Sequence, residues 1–255
     1  MRPHPIACRL TALIAPILLA VAVWGTAARA DDASGFTAAQ RAEIVAVVRQ
    51  ALMTDPTILR DAVSALQQQE AAVKDAAASA AIDRAGPALV KTPADPIAGN
   101  PNGDVTVVEF YDLRCPYCRG MVPVLADLLR KDSNIRLVYK DIPILGPDSV
   151  LGARAVLAAQ RQGGYLRMHD AIMASPPTIT EDTLRQNADH AGLDWDRMQR
   201  DMADPAITAR IDANIALAHD LGIDGTPVYV IGTRMLPGAV DLAELEGAVA
   251  ATRTR

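Results

Sequence analysis

Apolar residues in the first third of the chain recur at intervals of three and four, the spacing that gathers them on one face of a helix. Ile44, Val47, Val48, Ala51 and Leu52 form one such stripe, opened by Thr37 and Gln40 in the arrangement of a capping box. Asp55 and Pro56 restart a helix as N-cap and first helical residue. Leu59, Ala62, Leu66, Gln69 and Val73 then follow with the alternation of a coiled-coil seam. Both stripes are narrow and rich in small residues, so the two helices bury little against each other. The pattern therefore predicts a helical segment over residues 31–85 whose apolar face is covered by a partner chain, an oligomerisation stalk; packing back on the rest of the chain is the competing arrangement.

Residues 86–103 hold Pro87, Pro93, Pro96 and Pro101 among small polar residues, which is linker composition. A second domain is expected over 104–255. It begins with the β-branched run Val105–Tyr111, read as a buried strand. Met121, Val122, Leu125, Leu128 and Leu129 give a helix, and Ile135–Lys140 a second strand, so the three form a right-handed crossover with parallel strands. From about 149 to 222 the pattern is helical throughout, with starts at Thr180 and Asp204-Pro205 and stops at Gly192 and Gly222. Strand character returns at Val228–Ile231, turns at Gly232-Thr233 into Arg234–Leu236, and gives way to a helix over Leu242–Ala250. The expected class is α/β, a strand-helix-strand unit and a strand-strand-helix unit separated by a helical insertion, with Trp195 in the insertion's core.

The first thirty residues change both the charge and the cysteine count. Arg2 and Arg9 precede an apolar stretch from Leu10 to Ala27, and Ala28-Arg29-Ala30 is a small-x-small cleavage pattern, so residues 1–30 are expected to be a signal peptide cut after Ala30. A retained anchor is the other reading, disfavoured because Pro16 breaks a stretch already short for a spanning helix. Export implies the periplasm. Cleavage removes Cys8 and three arginines but no acid, taking 25 basic against 30 acidic residues to 22 against 30. So acidic a chain carries no nucleic-acid footprint.

The two remaining cysteines, Cys115 and Cys118, stand three apart at a helix start. There the helix dipole and free N–H groups favour a thiolate, so Cys115 is expected to titrate below the ~8.5 of a free thiol and to act as nucleophile. Cys118, one turn on and more buried, would be the resolving thiol, with Pro116 at the first helical position between them. Structural zinc would need four ligands, and His169, His190 and His219 offer no pair at ligand spacing. Copper(I), held by two soft thiolates, is the more serious rival to a redox pair. Gly225-Thr226-Pro227, before the third strand, is a place where a cis peptide is plausible.

Val-Glu-Phe-Tyr-Asp-Leu-Arg-Cys-Pro-Tyr-Cys (108–118), the helical insertion and Gly-Thr-Pro-Val-Tyr-Val (225–230) together resemble the DsbA-like branch of the thioredoxin superfamily. The segment from Phe36 to Ala85 resembles the stalk of the suppressor of copper sensitivity protein C (ScsC) group, on composition alone. The resemblance implies a thioredoxin-like fold and a thiol:disulfide oxidoreductase with no cofactor beyond its Cys115–Cys118 disulfide. It implies that Pro227 is cis and faces Cys115, that Thr226 offers its backbone to an extended substrate, and that Pro116 and Tyr117 border the substrate site. Glu109 matches a buried acid that exchanges the proton of Cys118; a solvent-facing strand residue is its other reading. Implied partners are misfolded exported proteins with cysteines, a membrane redox partner and further copies of the chain, with isomerase or reductase activity in the oligomer and oxidase activity as the alternative. Tyr117 stands where strongly oxidising members carry histidine, which predicts a potential between about −120 and −270 mV. Arg114 adds positive charge near the thiolate or is merely solvated, and His169, which resembles a family position, reads as a packed or capping helix residue, with a catalytic role as its other reading.

Overall fold

The computed structural model describes residues 35–92 and 95–254, so the expected signal peptide and its cleavage site lie outside the described residues. The chain divides into two units, one running to Asp61 and the other from Ala62. The first holds helix α1 (Ala38–Thr54) and the opening of α2 (Thr57–Ala85). Thr37 and Gln40 form the reciprocal capping box, and Asp55 accepts from the Thr57 amide at the next start. No residue of α1 is buried, and Ile44, Val47, Val48 and Leu59 all lie exposed.

The second unit is built on a five-stranded sheet in the order β1-β3-β2-β4-β5: β1 (Ile97–Gly99), β2 (Val105–Tyr111), β3 (Ile135–Asp141), β4 (Val228–Ile231) and β5 (Arg234–Pro237). β2 and β3 are parallel, joined by α4 (Pro116–Lys131) with Pro123 inside it; every other pairing is antiparallel. Between β3 and β4 come α5 (Pro147–Gln160), α6 (Tyr165–Ala174), α7 (Glu181–His190), α8 (Trp195–Met202) and α9 (Pro205–Asp220). α10 (Leu242–Arg253) closes the described chain and packs on α4, β2 and β4. This is a thioredoxin-like fold with the helical insertion the pattern predicts, beginning two residues earlier and carrying Trp195 in its core.

Successive strand residues point to opposite faces, and both faces are covered. Val107, Tyr111, Leu137, Tyr139 and Tyr229 belong to the core shared with both cysteines and with α4 to α10. Val108, Phe110, Val138, Val228 and Val230 belong to a second core with Ala218 and Leu221.

Ala81 and Ile82 at the end of α2 join that second core, as does Leu89 of the short helix α3 (Pro87–Val90). The last turns of the expected stalk are thus part of the second unit. The described residues of the expected linker are likewise structured. β1 extends the sheet through β3, and Gly99 takes a φ of +72° where an added Cβ would stand 2.6 Å from the Ile135 carbonyl oxygen. Asp95 is fully buried and binds Lys140 and Arg210, each at 2.7 Å. Proline and small residues here mark tight approach to a sheet edge, a use of the same residue types that composition does not distinguish from a linker.

Candidate active site

Strand β2 delivers the chain to the N-terminus of α4, and the four residues from Asp112 to Cys115 turn the corner. Asp112 organises that corner. Its carboxylate accepts from the Arg114 amide at 2.8 Å, the Leu145 amide at 3.0 Å and the Ser149 hydroxyl at 2.8 Å, while its carbonyl accepts from the Cys115 amide at 3.0 Å. Arg114 donates to the Leu145 carbonyl at 2.6 Å, so it braces the same corner. Cys115 is the N-cap of α4, with extended backbone, and Pro116 takes the first turn. The sequence reading missed Asp112, although an acid directly after an apolar strand and before a helix start is the available signal.

Cys115 is 4% exposed and Cys118 1%. Both are free thiols here. The Sγ of Cys115 donates to the Thr226 carbonyl oxygen at 3.3 Å, and the Thr226-Pro227 peptide is cis. The Gly238 amide bonds the Pro227 carbonyl at 2.8 Å and fixes that loop from β5. Tyr117 stands out into solvent, 66% exposed. Arg119, one residue past Cys118, donates to the carbonyls of Ile172, Met173 and Ser175 at 3.0, 3.0 and 2.6 Å, tying the start of α4 to the C-terminal end of α6. A cation there suits the partial negative charge of a helix C-terminus.

Burial dominates the titration of the groups beneath the cysteines. It pushes the Cys118 thiol up, and the nearby Glu109 charge adds to the effect. Glu109 is buried and its carboxyl is pushed up to about 8, mainly by burial and further by Asp141, against a hydrogen bond from the Tyr229 hydroxyl at 3.0 Å. Glu109 and Tyr229 are register partners across β2 and β4. Farther along the same face, Asp141 accepts from Tyr111 at 2.6 Å and from Tyr165 at 3.1 Å, and burial raises its carboxyl too. The solvent-facing reading of Glu109 is therefore set aside. The fold brings Glu109, Cys115, Pro116, Cys118, Thr226 and Pro227 to one place, with Tyr117 at its rim.

The DSBA-like thioredoxin domain model matches residues 106–250. The chain belongs to that family. The N-terminal domain of copper resistance protein ScsC matches residues 40–72, within the segment read as a stalk. A thioredoxin-like oxidoreductase from Silicibacter pomeroyi DSS-3 is 43% identical, with 67% of this chain and 98% of that one covered at a TM-score of 0.65. Proteus mirabilis ScsC in a transitional conformation is 27% identical over 86% of this chain and 99% of that one, with a TM-score of 0.63. A probable disulfide bond formation protein D of Bacillus anthracis is 27% identical over 153 residues, 54% of this chain and 70% of that protein. The chain spans about a quarter of the length of the Na(+)/H(+) antiporter NhaA proteins of Salinispora that it also matches. Among the described residues no helix is long and apolar enough to cross a membrane. As a DSBA-like domain, the second unit has its cysteine pair at the N-terminus of α4 and a cis proline loop beside the first sulfur.

Proposed function

We propose that this protein is an exported thiol:disulfide oxidoreductase that works in the periplasm on cysteine-containing exported proteins, as an isomerase or reductase within a homo-oligomer. The observation that carries the reading is Cys115, held at the end of α4 that favours negative charge and 3.3 Å from the Thr226 carbonyl, with Cys118 buried one turn on. Cys115 forms a mixed disulfide with a substrate sulfur. Glu109 takes the proton of Cys118, and the Cys118 sulfur attacks Sγ of Cys115. The Cys115–Cys118 bond forms, the bond to substrate breaks, and the electron pair leaves with the substrate thiolate. An extended substrate segment aligns on the backbone of Thr226 by strand addition. A membrane redox partner resets the pair and sets the direction of electron flow.

The oligomer reading draws on the exposed apolar side chains of α1 and α2 and on the ScsC N-terminal match over 40–72. Several active sites facing one cleft suit the shuffling of wrong disulfides. Export rests on the pattern of residues 1–30. The test is refolding of scrambled ribonuclease and reduction of insulin by the mature protein, with its mass measured by light scattering. Inactivity in both assays removes the reading, and a monomer removes the oligomer. A second reading, capture of copper(I) by the two soft thiols, is favoured by the same N-terminal match; stoichiometric copper(I) uptake by the reduced protein without either activity would establish it.

A further inference from the structure

A buried carboxyl that takes a proton from Cys118 must also lose it, and the surroundings of Glu109 are mostly apolar. A cavity touches it. This space of about 160 Å³ is lined by Glu109, Ala126, Tyr139 and Leu166, and by His169 and Asp170 of α6. Its outer edge reaches the surface, since Ala126, Leu166 and the Asp170 side chain are exposed. The volume exceeds the roughly 10–15 Å³ a water needs, and polar groups line it at both ends.

His169 stands within this cavity wall and is 2% exposed. Its Nδ1 lies 2.8 Å from Asp170 Oδ1, while its Nε2 is buried without a protein partner. The ring is held from three sides, edge-on to Tyr111 at 5.3 Å, tilted against Tyr139 at 5.0 Å and stacked on Tyr165 at 6.1 Å. A buried imidazole nitrogen left unpaired is destabilising unless water reaches it. Packing alone would be served by another aromatic ring.

We propose that this cavity is the proton path between Glu109 and solvent, and that His169 is the positioning residue that carries the proton along it. The inference rests on the proposed redox role of Cys115 and Cys118. The Glu109 carboxyl, which keeps its proton in the folded chain below about pH 8, first passes that proton through water to His169 Nε2 and then takes the proton of Cys118 as the disulfide closes. His169 Nδ1 releases its proton toward Asp170 and bulk water, which leaves the neutral ring as its Nε2–H tautomer and Glu109 holding the proton of Cys118. Reduction of the disulfide runs the same transfers backwards. The titratable groups lining the cavity are Glu109 of β2, Tyr139 of β3 and His169 and Asp170 of α6. Behind them, Tyr111 and Tyr165 pack on the His169 ring, Tyr229 of β4 bonds Glu109, and Cys118 of α4 and Asp141 of β3 lie close enough to Glu109 to couple to it.

The test measures the rate at which a preformed mixed disulfide between Cys115 and a cysteine peptide resolves, from pH 5 to pH 9, with and without imidazole buffer. His169→Gln should slow resolution roughly 10–100-fold near neutral pH, leave the equilibrium potential unchanged, and recover in part with added imidazole. Ala126→Phe, which closes the cavity mouth and leaves His169 in place, should slow it without imidazole rescue, and it carries the test should His169→Gln fail to fold. Wild-type rates and pH profiles in both variants would overturn the proposal. A wild-type protein that forms no mixed disulfide at Cys115 would instead overturn the redox reading on which it rests.

Discussion

The Sγ of Cys115 and the carbonyl oxygen of Thr226 are 3.3 Å apart although 111 residues separate them in the chain. That approach leaves Cys115 at the edge of the site, against the loop where substrate backbone would lie, and Cys118 deeper in the core. The two sulfurs therefore have unequal tasks. Cys118→Ala should accumulate mixed disulfides with cysteine peptides, visible as a mass increase reversed by reductant. Cys115→Ser should form none; equal trapping by both variants would remove the assignment of roles.

Glu109 sets a pH dependence of stability. Its folded value, about 8, lies above its ordinary 4.5. Below about 4.5 the carboxyl is protonated in both states and costs nothing. Between 4.5 and about 8 the unfolded chain releases a proton that the folded chain keeps, so stability falls as pH rises through that window. Glu109→Gln, which can still accept from Tyr229, should therefore be more stable than the parent by roughly 2–5 kcal/mol at pH 8.5 and nearly equal at pH 4.5. Denaturant melts of the reduced proteins at the two pH values measure this.

Asp112 holds three donors in a corner that offers them little else. Asp112→Ala leaves the Ser149 hydroxyl and two loop amides without their partner and should cost about 2–4 kcal/mol. The same change should slow mixed-disulfide formation at Cys115, because the turn that presents the sulfur loosens. A variant as stable and as fast as the parent would show the corner to be held by other contacts.

Two apolar positions in the helical N-terminal region should respond differently. Ile82 is buried in the second core, whereas Val47 is exposed on α1. Ile82→Ala should lower stability by about 2–5 kcal/mol. Val47→Asp should leave melting of the second unit unchanged and reduce the mass seen by light scattering.

Tyr117 projects into solvent beside the cysteines and supplies no positive charge to them. A redox titration should give a midpoint between about −120 and −270 mV. Tyr117→His should move it to a less negative value, because an imidazolium near Cys115 stabilises the reduced, thiolate form.

Much of the fold was legible because its signals are local. The capping residues Thr37, Thr180 and Asp204, the β-branched runs of β2, β3 and β4, and the spacing of Cys115 and Cys118 each act within a few residues of chain. β1 was not legible, since three residues carry no period and its partner lies some forty residues on. The end of α2 was read wrongly for a related reason. Ala81 and Ile82 look like any stalk residues until Val108 and Val228 are brought beneath them.

Alone, the sequence determined which residues could do chemistry here, the strand-to-helix junction that places Cys115, and the order of elements around it. The tertiary structure alone decided where the acid faces. Alternation of polar and apolar residues reports a strand's inner side only when its outer side meets water, and β2 is covered on both sides, so its sequence is apolar throughout except for Glu109 and Thr106. Only packing against α4 and β4 put Glu109 beneath Cys118 and against Tyr229, and only the insertion, folding back with α6, set His169 on the wall of the same cavity.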